Sequence, residues 1–496
     1  MRRSPLLAFL LLAMACVPVD EELDTPEPPP SGLDLVIGEV VELEQEGEEF
    51  RFELARGGEY LIALVSTDDA QGTLHPYVSR APVLKAKEAG DKPPATRPPG
   101  SPPRPKAEVG DLRSFTLHDD RQWLTIEAEA IGVSERVVLW EDQTTPSELE
   151  VNYERIDLIL QNLEEIVIPR EEQLFGAISD VDGDGKIAVL ISYTVNMIGV
   201  AAYVTWCDIN AAEGCTAGNN SEVVYLSIPE PEGRLSSANA ITETVAHELS
   251  HLIYAYHKHV LNGTMLREGE GIYVTEGLAA LAQDLTGYNN GNQYVWGAAF
   301  DLAEFYEDEN FCTQGISVND MFGDGSFYST DRDGVLRGGS YLFLRYLFEQ
   351  AGGMEVLADG SLVDRGGIAW LRSIYSTPAL GAAAIEETMG RDYWDLVFDW
   401  YTAILVSGRN LNNDKAFNFE PRVEDPLTGY SFGVDPYALI HGYLQLSGAP
   451  VQPWLEADRF IRAGGAEYMR LETEPGTVEL WVDPSARARA RLIRVN

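Results

Sequence analysis

The sequence predicts an α+β domain flanked by small β domains at its N- and C-terminal ends. Three patterns carry this reading. Alternating segments such as "EFRFEL", "EYLIALVS", "QWLTIEAEA" and "ERVVLWE" fill the region 33–145 and read as a β-sandwich-like unit. From residue 147 the period becomes helical, with Val151, Ile156, Ile159, Leu160 and Leu163 at three- and four-residue steps. Beyond about residue 454 alternation returns in "EYMRLETE", "VELWVD" and "ARLIRV", which marks a small C-terminal β module over 451–496. Within the central region, 146–450, strands come first and helices later, the order of an α+β domain.

The individual elements follow from local signals. "KIAVLISY" and "EVVYLSI" are short apolar runs of strand length. A long helix is expected over 236–259, with Ser236 or Ser237 able to cap its first turn. Further helices are expected over 274–285, 296–307, 339–350 and 393–406. The region 82–109 is interrupted by prolines and carries Lys85, Lys87, Lys92, Arg97, Arg104 and Lys106. It reads as a solvated insertion, with contact to an anionic polymer as the sharper alternative.

Bulk properties limit the function. At 496 residues the chain is longer than one ordinary core, so two or three domains are expected. With 45% hydrophobic residues it holds ample material for burial, which excludes disorder of the whole chain. Its 79 acidic and 36 basic side chains give a formal charge of −43, which repels phosphate backbones and anionic lipid head groups. A nucleic-acid partner is excluded on that ground.

The first residues read as an export signal over 1–16. Arg2 and Arg3 precede an apolar run, and Ala15 precedes Cys16 as at a bacterial lipoprotein cleavage site, although Ala13 stands where leucine is commoner. Ordinary secretory cleavage is the alternative. The Pro-, Glu- and Asp-rich stretch 17–32 suits a disordered tether. The expected location is therefore the bacterial cell envelope or outer surface, or the secreted fraction, with membrane contact only through a lipid on Cys16. Export permits disulfides; Cys207 and Cys215 are close enough in sequence to close a small loop, leaving Cys312 unpaired.

The chemistry is concentrated in "TVAHELSHLIY". On a helix His247 and His251, four residues apart, share one face and can reach one ion. Glu248 points about 100° away from His247, beside the metal and outside its ligand set, where a general base is needed. Ile241, Val245, Leu249, Leu252 and Tyr256 form an apolar stripe, and the two histidines lie to one side of it beside Ala240, Thr244 and Ala255. A catalytic zinc takes three protein ligands and keeps one position for water. Glu268, Glu270 and Glu276 are candidates for the third ligand. The first two lie in the glycine-bearing "LREGEGIY", whereas Glu276 opens the helical run "TEGLAALAQDL", and a rigid element positions a ligand better than a loop. Gly277 would let this second helix approach the first closely.

HExxH followed by a helix bearing E-G-x-A resembles the gluzincin class of metallopeptidases. More narrowly, "FGAISDVDGDGKIAVLIS", "VAHELSHLI", "VTEGLAALAQDL" and "GGSYLFLRYLFEQAGG" resemble the hyicolysin family of secreted bacterial peptidases, over about 147–353. The resemblance implies an α+β zincin-like metallopeptidase domain, zinc on His247, His251 and Glu276, acid–base catalysis by Glu248, and protein or peptide substrates. Two departures stand out: the spacing from His251 to Glu276 is longer than in thermolysin-like and aminopeptidase-like gluzincins, and Thr275 precedes the ligand glutamate where asparagine is frequent. A second oxyanion donor is expected on the logic of transition-state stabilisation; His441 and Tyr341 are candidates, each with a packed core role as the plainer reading.

Weaker signals remain. Asp180, Asp182 and Asp184 offer oxygens at alternate positions, as calcium (Ca2+) loops do, yet Ile191 stands where an EF-hand places its bidentate glutamate. An acidic turn that launches the next strand is the competing reading. His257 and His259 point away from the shared histidine face, as solvent-facing or helix-end residues. His75 and His118 read as structural, and Asn262-Gly263-Thr264 matches a glycosylation acceptor that a bacterial export signal makes idle. The function class competing with zinc (Zn2+) proteolysis is a surface-anchored adhesion or binding lipoprotein with a catalytically silent scaffold.

Overall fold

The computed structural model describes residues 32–46, 49–67, 104–118, 122–145, 155–210, 215, 217–229, 235–264, 272–289, 333–440, 444–449, 451–454, 464–482 and 487–496. The expected signal segment, the tether except its last residue, His75, the 296–307 helix, Cys312, His441, Glu268, Glu270 and the insertion up to residue 103 lie outside the described residues. Among the described residues no helix is long and apolar enough to cross a membrane.

A six-stranded mixed sheet organises the central region, in the order Leu112–His118, Trp123–Val133, Val137–Asp142, Ile187–Ile191, Val223–Leu226 and Ala202–Tyr203. The middle three strands run parallel, and the outer pairings are antiparallel. All five residues of Ile187–Ile191 are buried, because both faces of the strand are covered. Ile187, Val189 and Ile191 join the main helical core, while Ala188 and Leu190 meet Phe115, Trp140 and Tyr225 on the other face. A two-faced environment of this kind selects a continuous apolar run rather than alternation.

The strands at 112–142 therefore do not belong to an N-terminal sandwich, as the alternating pattern predicts. Val137–Asp142 pairs in parallel with Ile187–Ile191, through the helical segments Ile156–Asn162 and Ile168–Leu174. A parallel partner requires such a crossover, and its first described helix starts at Ile156, inside the region where the sequence period is helical.

The sandwich exists, but both chain ends build it. Its larger sheet runs Val40–Leu43, Ala488–Arg494, Gly58–Ser66, Ala466–Thr473, Gln452–Pro453, and its smaller sheet runs Gly476–Trp481, Glu49–Leu54, Gln45–Glu46. The expected module at 451–496 is thus one half of the expected N-terminal one. In Gly58–Ser66, Tyr60, Ile62 and Leu64 fill the space between the two sheets, while Leu61, Ala63 and Val65 face the main core. That second face docks on the helix Tyr393–Val406, where Arg491 donates to Asp399 Oδ1 at 2.6 Å and lies 3.9 Å over the Phe398 ring.

The HELSH helix spans Ala238–Ala255, with Ser237 Oγ accepting from the Ala240 amide at 3.1 Å, as the capping signal predicts. Ile241, Val245, Leu249 and Leu252 are buried against the core. The helix continues as a wider π turn over Tyr256–Leu261. There Lys258 is fully buried and donates to the carbonyls of Thr377 and Ala379 at 2.6 and 2.7 Å. His259 is also buried, stacked on Trp206, rather than solvent-facing; His257 donates toward the Ala177 carbonyl at 3.2 Å. The next described helix, Ile272–Thr286, packs between the HELSH helix and a third helix, Asp333–Gln350. Gly277 serves the contact with this third helix, not with the first. A Cβ on Gly277 would meet the Ser340 carbonyl at 2.8 Å and Leu344 at 3.0 Å.

Candidate metal centre

The HELSH helix presents both imidazoles from one turn, and the N-terminal half of Ile272–Thr286 brings the Glu276 carboxylate to them. His247 Nε2 and His251 Nε2 are 3.2 Å apart. Glu276 Oε2 stands 3.3 Å from His247 Nε2, and Oε1 stands 3.6 Å from His251 Nε2. Donors arranged tetrahedrally around zinc at about 2.0–2.2 Å are separated by about 3.3–3.6 Å, so two imidazole nitrogens with a carboxylate that turns one oxygen to each are spaced to fit one zinc ion. The donor set, two imidazole nitrogens and one carboxylate, fits a catalytic zinc that keeps a fourth position for water. Glu276 is 7% exposed and Glu248 is 8% exposed, so both carboxylates sit in a largely dehydrated setting where their charge acts strongly.

Two residues that the sequence reading did not single out orient the first imidazole. Gln283 Oε1 lies 3.1 Å from His247 Nδ1, and Gln283 Nε2 donates to Glu243 Oε1 at 3.3 Å. The Glu243 carboxylate fixes which way the amide faces, so Gln283 offers its carbonyl oxygen, Nδ1 carries the proton, and Nε2 keeps its lone pair for a metal. A signal for both was present. Gln283 follows Glu276 by seven residues, two turns along one helix face, and Glu243 precedes His247 by four.

Tyr341 is not at this centre. Its hydroxyl donates to Asp284 Oδ2 at 2.9 Å in a buried group that also holds Arg345, Glu349 and Asn289. Burial, with Asp284 beside it, pushes the Tyr341 hydroxyl well above the usual phenol range. This group binds the Glu276 helix to Asp333–Gln350, which is the packed role. His118 pairs with Trp123 across a hairpin, with ring centroids 5.1 Å apart, on the sheet edge opposite the strand that packs on the HELSH helix.

The acidic run is placed differently from the sequence expectation. Asp180 and Asp182 converge with Glu222, whereas Asp184 Oδ1 accepts from the Lys186 amide at 2.7 Å and stands outside that triad. Burial, then the neighbouring Asp182, pushes the Asp184 carboxyl up to about 6. Burial likewise raises Glu222 to about 7, against the Ser179 hydroxyl and the Val181 amide, with Asp182 adding to the rise. Cys207 and Cys215 are disulfide-bonded, with Cα atoms 5.5 Å apart.

No family model matches the chain and no curated protein matches it, so the narrower hyicolysin likeness gains nothing from either comparison. Among solved structures, similarity is found to an M1 zinc metallopeptidase from Deinococcus radiodurans, at 12% identity and a TM-score of 0.30, over 59% of this chain and 51% of that one. A point mutant of the same enzyme matches at 12% identity and a TM-score of 0.30, over 61% and 53%. The chain thus spans about half the length of these structural neighbours.

Proposed function

We propose that the chain is a zinc metallopeptidase that hydrolyses peptide bonds in proteins outside the cell, with His247, His251 and Glu276 as metal ligands and Glu248 as general base. The observation that carries this is the convergence of the two imidazole nitrogens, 3.2 Å apart, with the Glu276 carboxylate, whose Oε2 lies 3.3 Å from one and whose Oε1 lies 3.6 Å from the other. The chemistry zinc supplies at such a centre is acidification of water and polarisation of the scissile carbonyl. Glu248, next to His247 on the helix, takes the proton of the attacking water and delivers it to the departing amine. Gln283 and Glu243 hold the His247 ring in the tautomer that this arrangement needs. The strand Ala202–Tyr203 packs on the HELSH helix.

Export is part of the proposal. Support comes from the N-terminal segment, with Cys16 as the lipid-bearing residue, and from the Cys207–Cys215 bond, which an oxidising compartment sustains. The decisive experiment measures zinc content and casein cleavage for the wild type and Glu248→Gln. Expected are about one zinc per chain in both proteins, chelator-sensitive cleavage by the wild type, and a rate lower by about 10²–10⁴ in the variant. Wild-type cleavage by Glu248→Gln rejects the base, and a zinc-free wild type rejects the reading as a whole.

A further inference from the structure

The loop before strand Ile187–Ile191 holds Asp180 and Asp182, and the parallel neighbour of that strand starts at Val223. Register pairs Val223 with Ala188, and the Ala188 amide donates to the Glu222 carbonyl at 2.8 Å. Strand pairing therefore delivers the Glu222 side chain to the mouth of the acidic loop, although 40 residues separate it from Asp182. One ligand oxygen from each of Asp180, Asp182 and Glu222 lies within 4.8 Å of the others. Asp180 is exposed, Asp182 is 4% exposed and Glu222 is completely buried.

Glu222 supplies the second observation. Its Oε1 accepts from the Val181 amide at 3.0 Å, while its buried Oε2 makes no hydrogen bond of normal geometry among the described residues, although the Ser179 hydroxyl stands beside the carboxylate. A carboxylate oxygen removed from water and left without a donor is costly, and buried polar atoms in native proteins are rarely left so. Arg104 stands 3.0 Å from Asp182 Oδ2 and donates also to the Asn219 carbonyl, so its charge is directed to the Asp182 side of the group.

We propose that Asp180, Asp182 and Glu222 bind a calcium ion. The donors are oxygens from carboxylates, the hard set that calcium takes, and they lack the imidazole or thiolate that favours zinc. Calcium accommodates irregular oxygen shells of six to eight ligands, completed by main-chain carbonyls and water, whereas magnesium demands a near-octahedral shell and keeps its waters. Glu222 takes the place of the acidic ligand that a contiguous calcium loop carries at its end. The ion clasps the entry of one parallel strand to the entry of the next, in the sheet against which the HELSH helix packs. The proposal is independent of the chemistry at His247, His251 and Glu276.

The test uses the full zinc-loaded chain, titrated with calcium chloride or magnesium chloride, and reads heat of binding and Tm. Expected is saturable calcium binding by the wild type in or below the millimolar range, with a rise in Tm that magnesium at the same concentration does not match. Glu222→Gln and Asp180→Asn each weaken calcium binding by about tenfold or more, whereas Asp359→Asn, an exposed carboxylate elsewhere on the surface, keeps the wild-type response. Absence of calcium binding by the wild type, an equal response to magnesium, or unchanged affinity in the substituted chains overturns the proposal. Should Glu222→Gln fail to fold, Asp180→Asn decides alone, because its side chain is exposed and carries no core packing.

Discussion

The two clusters of this chain whose side chains could hold a metal ion are built on one plan with opposite chemistry. Each takes a pair of ligands from a short motif with fixed spacing and a third from an element elsewhere in the sequence. In the HELSH cluster the pair lies on a helix, the third ligand on a second helix, and Gln283 with Glu243 fixes an imidazole from behind. In the acidic cluster the pair lies on a loop, and the third ligand is delivered by strand register. The first leaves its imidazoles partly exposed, at 14% and 18% of their side chains; the second encloses one carboxylate completely. That difference separates a centre suited to turnover from one suited to holding a sheet together.

Removing a ligand should separate them most sharply. His251→Ala is expected to lose bound zinc and casein cleavage together, while calcium still raises its Tm; zinc content and a calcium titration on the same preparation check this. Next in size is the orienting pair. Gln283→Leu leaves every ligand in place but removes the acceptor on His247 Nδ1, and is expected to weaken zinc binding by about 10–100-fold in a chelator competition. An unchanged zinc affinity would show that the His247 ring is held by packing alone.

Gly277→Ala perturbs the first cluster through its scaffold. The added methyl meets the Ser340 carbonyl at 2.8 Å, and overpacking of this kind costs about 1–3 kcal/mol, read as a lower unfolding midpoint in urea. The shift should be accompanied by weaker zinc binding and an unaltered calcium response. The smallest effect is expected at Glu349, whose carboxyl burial raises to about 7, against the opposing Arg345. Because the folded chain keeps that proton where the unfolded chain releases it, the contribution is fully present below about pH 4.5 and is lost as pH rises through 7. Relative to wild type, Glu349→Gln should therefore gain Tm between pH 5 and 8; a constant difference across that window would reject the raised value.

How much of this was readable from the residues depended on how far each contact reaches along the chain. The imidazole pair is fixed by four residues on one helix, so the spacing of His247 and His251 states it outright. Glu276 needed an argument about rigidity, and the structure places it beside both rings. Gln283 was accessible from the same helical phase and went unread, since a glutamine carries no ligand signature of its own. Glu222 had no local mark at all: only the register of two parallel strands brings it to Asp182. The domain boundaries failed for a related reason, because alternation marks a segment as strand without naming its partner. Gly58–Ser66 finds both of its partners more than 400 residues later.

That last pairing has a consequence for biogenesis. Gly58–Ser66 leaves the ribosome long before the strands on either side of it, Ala466–Thr473 and Ala488–Arg494. While the intervening chain is made, an apolar strand with two open edges waits for its neighbours, a state that invites pairing with other chains. The nascent polypeptide thus has to be shielded until those strands emerge. Cleavage of the finished protein before Ala466 would return it to that vulnerable state.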